Sequence, residues 1–487
     1  MQRKTTATLA VNVFYWSVLV VLTCLLVTKA FLLPVTNDEA YSFFLVKTNY
    51  WKAMAGTANT HWLNSFFIRV FTFLAGDTPG CWRIQSVLAG AGYIFLAKKV
   101  AGGFDTVIMQ LICFSMLVFN PYLLDYFSMA RGYGLAVFFI LLSVYQLQQF
   151  LEKGKEQSLY YCFLSLSAAV VSNYTTLYFL LSSVLLLTFF LFRNKGLFNK
   201  GVYIKTWVLS VFVIIIAAGN LFFIKYYTHD LEFGATHSFA RDSFGSLLQY
   251  SSFFVINDRA AFISGYILFF IILFLSFLII RKAVYSKPGA AVWIASVMLL
   301  IMILSILFFY LFKTPFVTER ATLVFYPLIV LILCYGSTMW HSFFGKRATT
   351  FFLGSLSFLF VINTTFHFKL NTTLDWKENA DTPAMLETVE KMKRKNAAVK
   401  VGMHRLHYGV YKNYYLPVKG QYSNWDVVFF SDEELANPDQ HVLSKLSALD
   451  FLLSSEKTNP ALYNSDSSNY ILVRQFSAAG SMLLQRK

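Results

Sequence analysis

Charged residues are scarce in this chain, and their scarcity decides the class of protein. Only 14% of its 487 residues are charged, whereas 57% are hydrophobic and 18% are aromatic. Ordinary soluble domains carry roughly 25% charged residues, so this composition excludes a water-soluble globule and indicates a multi-pass membrane protein. The net charge of +16 lies largely in short loops between apolar segments. That placement is typical of membrane topology, so the charge implies no nucleic-acid partner.

Cysteine is scarce too, with five residues in the whole chain. Each lies within or beside an apolar segment, and the polar C-terminal part has none. The sequence therefore offers neither a disulfide framework nor a thiolate metal site. The basic start, Met1-Gln2-Arg3-Lys4, resembles that of a signal peptide. The apolar segment after it is too long and lacks a small-residue cleavage site, so we interpret it as an uncleaved first span.

Long apolar segments define the membrane part. A helix needs about 20 apolar residues to cross a bilayer, and in lipid its backbone must be hydrogen-bonded within the helix itself. About eleven segments meet this requirement. Together with one in-plane helix, they predict an all-α polytopic membrane domain over residues 1–368. The predicted spans are 11–33, 80–97, 106–124, 132–150, 158–173, 175–192, 206–225, 261–280, 290–312, 321–340 and 349–367.

The segment from His61 to Gly76 decides the topology. It is short for a span and carries Arg69 in its middle. If it lies along the membrane surface as an amphipathic helix, the short basic loops all fall on one side, which the positive-inside rule makes cytoplasmic. If it crosses, the N-terminal basic pair is separated from the other basic loops, so we predict the in-plane arrangement. Residues 37–41, 226–260 and 313–320 and the C-terminal tail then share the external face.

Residues 369–487 have the composition of an ordinary soluble domain. A helix is predicted over 383–396, with Thr382 as its N-cap and Pro383 at its first position. Short apolar segments at 397–403, 425–430, 450–453 and 470–476 are predicted strands. We therefore predict a small C-terminal α/β domain on the periplasmic side of the membrane.

Asp, Glu, Lys and Arg are absent from the interiors of several predicted spans, those at 132–150, 206–224, 261–280, 290–312, 321–340 and 349–366. An ion-coupled transporter needs such groups near the middle of the bilayer. The polar residues gather instead at the external ends of the spans, which predicts a site at the external membrane surface. They include Asp38 and Glu39, His61 and Asn64, Asp125 and Arg131, Asn173 and Tyr174, and the residues from Lys313 to Arg320.

Asp38 and Glu39 form a carboxylate pair directly after the first span. A carboxylate beside several cations at a lipid interface suits glycosyl transfer from a lipid-phosphate sugar, in which an acceptor hydroxyl attacks the anomeric carbon and a phosphate leaves. The phosphate leaves as a stable anion, so the reaction does not need the acid that a glycosidase needs. One base and a few cations are sufficient. Asp38 fits the base, and Arg131, Lys313 and Arg320 fit a clamp for the donor phosphate.

Four segments of the chain stand in a recognisable order and spacing. They are Asp38-Glu39 after the first span, Ala58 to Asn64, Tyr126 to Tyr133, and Glu319-Arg320 before Tyr326-Pro327. In this order they resemble the GT-C glycosyltransferases, and the resemblance is nearest to the bacterial branch around aminoarabinose transferase and protein O-mannosyltransferase, which use polyprenyl-phosphate sugars. The resemblance covers the membrane part to about residue 367, and the tail resembles the small periplasmic domain of such proteins.

The resemblance implies the GT-C fold and a glycosyltransferase in the bacterial inner membrane. Such an enzyme transfers a sugar from a polyprenyl-phosphate donor to a lipid, glycan or protein acceptor on the periplasmic side, with inversion. By this likeness Asp38 is the base, and Arg131 and Arg320 contact the donor phosphate. We assign Glu39 as a second catalytic carboxylate and no cofactor, with a divalent cation left open. The residues assigned to substrate binding are Tyr41, His61, Asn64, Tyr133 and Glu319.

Several of these residues have structural alternatives. Asn37 or Asp38 can cap the helix that follows. Arg131 can anchor its helix at the lipid headgroups, and His61 can be a structural polar residue. Glu319-Arg320 can be an ion pair at the rim that adds little stability.

Two further patterns are weak. The residues His229, Asp230, Glu232 and His237 are of types that bind metals, but their spacing matches no strong template. Asn173, Asn363 and Asn371 each begin an N-glycosylation pattern, which arises often by chance.

A lipid-sugar flippase or exporter is the main alternative function. It needs no carboxylate base, and it needs a continuous polar path, which the apolar span interiors do not provide. A sensor or assembly factor could act through the external domain, but about eleven spans are more than an anchor requires.

Overall fold

Two compact units make up the protein. The computed structural model describes residues 2–55, 57, 61–193, 200–228, 234–251, 258–283, 289–393, 398–420, 422–455, 458–462 and 470–487. The first unit contains Met1–Val27, Trp51–Leu74 and Trp82–Phe368, and the second contains Thr28–Tyr50, Ala75–Cys81 and Lys369–Lys487. The part after Phe368 therefore forms a unit with two short segments of the predicted membrane part, one of which carries Asp38 and Glu39.

The described part of the chain before Lys369 consists of helices and the loops between them, with one isolated β-bridge between Ala235 and Phe316. Its helices are α1 (Gln2–Leu32), α2 (Asn37–Thr48), α3 (Tyr50–Ala55), α4 (Trp62–Ala75), α5 (Pro79–Trp82), α6 (Ile84–Ala101), α7 (Val107–Val118), α8 (Pro121–Tyr126), α9 (Gly132–Lys153), α10 (Glu156–Ser172), α11 (Leu177–Arg193), α12 (Lys200–Phe223), α13 (Ser246–Ser251), α14 (Asp258–Ala283), α15 (Ala290–Phe312), α16 (Tyr326–Phe344) and α17 (Lys346–His367). Within the first unit, α9 packs against α6 and α10, and α14 packs against α15 and α16.

Eight helices in the described part of the chain are long and apolar enough to cross a membrane, which confirms a polytopic membrane domain. They correspond to eight of the predicted spans, and the predicted spans 80–97, 106–124 and 158–173 form shorter or interrupted helices. The number of crossings therefore stays a prediction. The eight are Val11–Leu32, Gly132–Lys153, Tyr174–Phe192, Gly201–Tyr227, Arg259–Lys282, Ala290–Phe312, Glu319–Ser337 and Lys346–His367.

The predicted span 106–124 is divided into two helices, which differs from the prediction. α7 ends at Val118 and α8 begins at Pro121. Asn120 lies between them, and its side-chain oxygen accepts a hydrogen bond from the Leu123 amide at 3.1 Å. Asparagine caps helices well and proline fits their first turn, so Asn120-Pro121 starts a new helix inside an apolar segment.

Two tyrosines from other helices bind the carbonyl groups that the end of α7 leaves without an intrahelical partner. The Tyr93 hydroxyl donates to the Leu117 carbonyl at 3.1 Å, and the Tyr326 hydroxyl donates to the Met116 carbonyl. All four residues are buried. Because unpaired backbone groups are costly in an apolar medium, these two bonds stabilise the break between α7 and α8.

The segment predicted to lie in the membrane plane forms a helix. α4 runs from Trp62 to Ala75 and has 14 residues. At 1.5 Å per residue it is about 21 Å long, shorter than the roughly 30 Å hydrocarbon core of a bilayer. Its length fits a helix that does not cross, and its placement in the membrane plane stays a prediction.

Lys369–Lys487 contains a five-stranded mixed sheet, which confirms the predicted α/β character. The strands are β1 (Val399–His404), β2 (Trp425–Phe430), β3 (Phe451–Ser454), β4 (Tyr470–Gln475) and β5 (Met482–Arg486), in the order β2-β1-β3-β5-β4. β1 pairs in parallel with β2 and β3, whereas β5 pairs antiparallel with β3 and β4. The sequence predicted the first four strands and missed β5.

Helices cover both faces of this sheet. They are α18 (Thr382–Met392), α19 (Arg405–Val410), α20 (Leu416–Lys419), α21 (Asp432–Ala436) and α22 (Gln440–Ser447). α18 packs on one face with Leu453, and α22 packs on the other with Leu452, as the alternation of side chains along a strand requires. α18 begins at Thr382, so the prediction of Thr382 as N-cap was wrong; Asp381 precedes the helix.

His407 makes the stability of the second unit depend on pH. Burial, and then the neighbouring His404, lower the pKa of His407 from 6.5 to about 3. The unfolded chain therefore binds a proton below about pH 6.5 that the folded chain does not bind, so stability falls as the pH drops from 6.5 towards 3. We expect a loss of about 2 kcal/mol between pH 7 and pH 5. Amide hydrogen exchange in β1 of the full-length protein, compared between pH 7 and pH 5, would measure this loss of stability.

The matched variant for this prediction is His407→Gln. Glutamine can keep a hydrogen bond to the Thr382 hydroxyl, which lies 2.8 Å from Nδ1 of His407, but it does not titrate. We expect the variant to lose most of the pH dependence between 7 and 5. Equal pH dependence in the two proteins would contradict the role of His407.

Candidate active site

Arg131 lies at the start of α9, after the short loop that follows α8. Its backbone is extended, with φ −132° and ψ 146°, and α9 begins at the next residue, Gly132. The Arg131 side chain is almost fully buried, with 1% of its surface exposed. A guanidinium group that only anchored a helix at lipid headgroups would extend to the surface. The burial of Arg131 therefore disfavours the anchor alternative.

Gly132 allows the loop before α4 to approach α9 closely. A Cβ atom at this position would lie 2.0 Å from the Ser172 carbonyl oxygen and 2.6 Å from the Cβ of His61. Any larger residue would collide with backbone, so glycine is required here. The consequence is that His61 packs directly against the start of α9.

Tyr133 lies at the centre of the predicted site residues of the first unit, between Arg131, Arg320 and His61. Its hydroxyl accepts a hydrogen bond from Nε of Arg320 at 3.3 Å. The guanidinium carbon of Arg131 lies 5.9 Å from the centre of the Tyr133 ring. The rings of His61 and Tyr126 each contact the Tyr133 ring edge to face, with centres 5.0 Å apart. We call Arg131, Arg320, His61 and Tyr133 the guanidinium cluster.

His61 is an uncharged member of the guanidinium cluster, although it could in principle carry a proton. Burial, and then the positive charges of Arg131 and Arg320, hold the pKa of His61 well below its ordinary value. The imidazole is therefore neutral at physiological pH. Its Nε2 atom is buried and has no hydrogen-bond partner among the described residues. This atom is therefore a candidate contact for a ligand, and the assignment of His61 to substrate binding stays a prediction.

Asn64 holds the loop that carries Arg131. Its amide nitrogen donates to the Ala130 carbonyl at 2.9 Å, and its amide oxygen accepts from Nε2 of Gln85 at 3.1 Å. These bonds tie α4 and α6 to the residue before Arg131. Asn64 is thus engaged within the protein, and its assignment to substrate binding stays a prediction.

The turn before Arg320 has a special backbone conformation. Glu319 has φ 50°, a left-handed value that is unusual for residues other than glycine. Its amide donates to the Ser246 hydroxyl, and its carbonyl accepts from the Thr322 hydroxyl. The Glu319 side chain is exposed, whereas Arg320 is half-buried. The turn therefore directs Arg320, and not Glu319, towards Tyr133.

Lys313 is the first residue of the segment that ends at Arg320. It ends α15 in a left-handed conformation with φ 53°, and its side chain is exposed. Phe316, which lies between Lys313 and Arg320, exchanges two backbone hydrogen bonds of 3.2 and 2.8 Å with Ala235, which lies between α12 and α13. The place of Lys313 in a phosphate clamp stays a prediction.

In the second unit, Glu39 takes part in capping α2. Thr36 is the N-cap, and its hydroxyl accepts from the Glu39 amide at 3.4 Å. In return, Oε2 of Glu39 accepts from both the Thr36 amide and the Thr36 hydroxyl at 3.1 Å. This reciprocal arrangement is a capping box. The alternative that Asn37 or Asp38 caps the helix is therefore wrong, because Thr36 does.

Asp38 is the second residue of α2 and takes no part in the capping box. Its side chain is buried, with 5% of its surface exposed. Glu39 is fully buried, and its carboxylate binds Thr36. The pair thus divides into a residue that stabilises the start of the helix and a residue whose carboxylate the cap does not use. Tyr41, on the next turn of α2, is half-buried.

The two weak patterns have structural explanations where the chain is described. His229, Asp230 and Glu232 lie outside the described residues, and the His237 amide donates to Asp242 at 2.8 Å. Within the described ranges no group of three or more His, Cys, Asp or Glu could hold a metal ion. Asn173 caps the turn after α10 through the Thr175 amide at 2.9 Å, and Asn363 is buried.

Two buried cations were not among the predicted site residues. Arg83 lies directly before α6 with a fully buried side chain, and Lys29 is fully buried in the last turn of α1. In the sequence, both lie inside or beside an apolar segment, where a charge is unusual enough to mark a position of interest. Arg83 lies two residues before Gln85, which binds Asn64. It is therefore a further candidate for the site.

Comparison with known proteins gives a fold and no sequence family. No protein-family model and no curated protein sequence matches the chain. Among solved structures, ArnT from Cupriavidus metallidurans in the apo state is similar with a TM-score of 0.53 and 11% sequence identity, over 98% of each chain. The same protein bound to undecaprenyl phosphate is similar with a TM-score of 0.53 and 10% identity, over 97% of each chain.

This likeness extends over nearly the whole length of both chains, including the C-terminal sheet. At this level of identity it concerns the fold, and it agrees with the resemblance found in the four sequence segments. The chain therefore has the GT-C fold that the sequence predicted.

Proposed function

We propose that this protein is a membrane glycosyltransferase that transfers a sugar from a polyprenyl-phosphate donor to an acceptor hydroxyl outside the cytoplasm. The observation that carries the proposal is the guanidinium cluster. Two guanidinium groups and a neutral, unsatisfied imidazole around one tyrosine suit a phosphate ester that carries a sugar. Arginine binds phosphate with several hydrogen bonds of fixed geometry, which makes it suited to this task.

In the proposed reaction, Asp38 takes the proton from the acceptor hydroxyl. The acceptor oxygen attacks the anomeric carbon, the bond from that carbon to the phosphate oxygen breaks, and its electron pair leaves with the phosphate. A single displacement of this kind inverts the anomeric centre. Arg131 and Arg320 stabilise the charge that develops on the departing phosphate. His61 stays neutral and contacts the donor by a hydrogen bond.

The donor class has independent support. A protein of the same fold binds undecaprenyl phosphate, a polyprenyl phosphate. The chain also has many apolar helices with exposed aromatic side chains, which suit contact with an isoprenoid tail. We further propose that the enzyme works in the bacterial inner membrane with its C-terminal unit in the periplasm. The acceptor is a lipid, a glycan or a protein.

The experiment that tests this function is a turnover assay. Purified protein in proteoliposomes is incubated with undecaprenyl-phosphate-linked hexoses and pentoses, with water as the acceptor hydroxyl, and the undecaprenyl phosphate released by slow hydrolysis is measured by mass spectrometry. We expect release above the protein-free rate with at least one donor. Movement of donor across the bilayer without release of sugar would support a flippase and overturn the proposal.

The hydroxyl of Tyr133 provides a finer test of the cluster. In Tyr133→Phe the ring still packs against His61 and Tyr126, but Arg320 loses this acceptor. One hydrogen bond to a charged group contributes about 1.5 to 3 kcal/mol. We therefore expect the affinity for undecaprenyl phosphate to fall roughly tenfold to a hundredfold, measured by microscale thermophoresis.

The control for Tyr133→Phe is Tyr227→Phe, which removes an exposed tyrosine hydroxyl of the same unit. It should bind undecaprenyl phosphate as the unmodified protein does. If Tyr133→Phe also binds normally, Tyr133 does not orient Arg320 for the phosphate.

A further inference from the structure

Asn379 joins the first turn of α2 to the C-terminal part of the second unit. Its side-chain oxygen accepts a hydrogen bond from the Asn37 amide at 2.9 Å. Its side-chain nitrogen donates to the Leu406 carbonyl, in α19, at 3.1 Å. Asn379 is 1% exposed. One buried amide thus binds the first residue of α2 with one end and α19 with the other.

The bond to Asn37 fills a specific need of the helix. The first amides of a helix have no acceptor within it, and each needs one from elsewhere. Thr36 serves the Glu39 amide through the capping box. Asn379 serves the Asn37 amide, which directly precedes Asp38. The position of Asp38 is therefore fixed on both sides, by the capping box within α2 and by Asn379 outside it.

The approach of α19 to α2 is also close. A Cβ atom on Gly409 would lie 1.8 Å from the side-chain oxygen of Asn37, so a glycine at this point lets α19 reach the first residue of α2. Lys29 makes a second connection in the same unit. Its ammonium group donates to the carbonyls of Lys369 and Thr372, at 2.5 and 2.7 Å.

We propose that Asn379 is a positioning residue for Asp38: by holding the first residue of α2, it sets the place and orientation of the carboxylate. This inference rests on the proposed function, in which Asp38 is the base. It assigns the C-terminal part of the second unit a role in catalysis that does not depend on contact with an acceptor. A general base acts only within hydrogen-bond distance of its proton, so a small displacement of α2 lowers turnover.

The test compares Asn379→Leu with Asn379→Asp in the full-length protein. Leucine has a similar shape but makes neither bond, whereas aspartate keeps an oxygen that can accept from Asn37. We expect Asn379→Leu to lower kcat for an undecaprenyl-phosphate-linked sugar roughly tenfold or more, with KM for the donor unchanged. Asn379→Asp keeps the acceptor for the Asn37 amide but loses the donor to the Leu406 carbonyl, so its kcat should lie between those of Asn379→Leu and the unmodified protein. A general loss of fold would also lower the apparent kcat at unchanged KM, but it would lower the yield and speed hydrogen exchange in β1 and β3 as well.

Hydrogen exchange provides a measurement that does not need activity. The Asn37 amide has no acceptor inside α2, so its protection depends on Asn379. We expect exchange at this amide to rise roughly tenfold or more in Asn379→Leu, while β1 and β3 exchange as before. The control is Asn424→Ala, which removes an exposed asparagine of the same unit whose side chain accepts from Lys393 at 3.4 Å.

The outcomes separate this inference from the proposed function. If Asp38→Asn is inactive while Asn379→Leu has the kcat of the unmodified protein, the positioning role is overturned and the function stands. If the unmodified protein has no activity with any donor, the function fails, and exchange at the Asn37 amide still decides whether Asn379 holds α2. Unchanged exchange at that amide in Asn379→Leu would overturn the inference directly.

Discussion

Replacing Asp38 by asparagine is expected to abolish sugar transfer and to leave donor binding intact. Asparagine has nearly the same shape, so the start of α2 and its capping box are retained, but it cannot take a proton. A positioned general base contributes about a hundredfold to ten-thousandfold to a rate. We expect kcat to fall by this factor with little change in the affinity for undecaprenyl phosphate. Single-turnover assays with a radiolabelled donor sugar would measure it.

Two further variants test whether the loss of kcat is specific to the carboxylate of Asp38. Asp77→Asn removes a half-exposed carboxylate of the same unit, which pairs with Lys47 at 2.8 Å, and it should leave kcat unchanged. Asp38→Glu keeps the base at a different distance and should retain part of the activity. Equal turnover in Asp38→Asn and the unmodified protein would show that the carboxylate has only a structural role, and the proposed base would have to be sought elsewhere.

Replacing Arg131 by alanine is expected to weaken both donor binding and turnover. The side chain is buried and lies beside the Tyr133 ring, so its loss removes a preorganised cation from the proposed phosphate site. Loss of one preorganised group that stabilises developing negative charge costs roughly a hundredfold to a thousandfold in rate. We expect kcat/KM to fall by at least this factor and the Kd for undecaprenyl phosphate to rise.

Arg131→Lys distinguishes charge from geometry. Lysine keeps the positive charge but lacks the planar fork of donors, so we expect it to recover binding more than turnover. Arg259→Ala serves as the control, since Arg259 is exposed at the start of α14 and its loss changes the net charge equally. If Arg131→Ala binds and turns over the donor as Arg259→Ala does, the guanidinium cluster is not the phosphate site.

The long apolar spans and the guanidinium cluster could be predicted from the sequence because each follows from a local rule. Hydrophobic length predicted the eight helices that are long and apolar enough to cross a membrane. The polar residues at the predicted external ends included His61, Arg131 and Arg320, and the family resemblance added Tyr133. The central place of Tyr133 could not be predicted, since it depends on the turn at Glu319 bringing Arg320 back to the start of α9. Such a meeting of distant segments leaves no signal in one sequence.

Two features carried signals that the hydrophobic pattern obscured. Thr36 and Glu39 have the spacing of a capping box, and this spacing by itself indicates a structural role for Glu39. Asn120-Pro121 is a helix start inside a segment that is apolar enough to pass as one span. In both places a short polar motif determines where a helix begins, although the residues around it are mostly apolar.

The contacts of Asn379 and Lys29 could not be predicted, because they join residues that are far apart in the sequence. Asn379 binds a residue 342 positions away, and Lys29 binds carbonyls 340 and 343 positions away. Neither contact has a local signature, and both depend on the second unit being assembled from three separate parts of the chain. No pattern of residues could therefore associate the C-terminal domain with Asp38.

The break between α7 and α8 has a consequence for biosynthesis. The Met116 carbonyl is bound by a hydroxyl that lies 210 residues later in the chain. At ordinary translation rates of about 5 to 20 residues per second, that tyrosine leaves the ribosome roughly 10 to 40 s after its partner. During this interval the break between α7 and α8 in the nascent chain lacks the hydroxyl that binds the Met116 carbonyl. The final geometry of the break is therefore completed only when α16 enters the bilayer and docks.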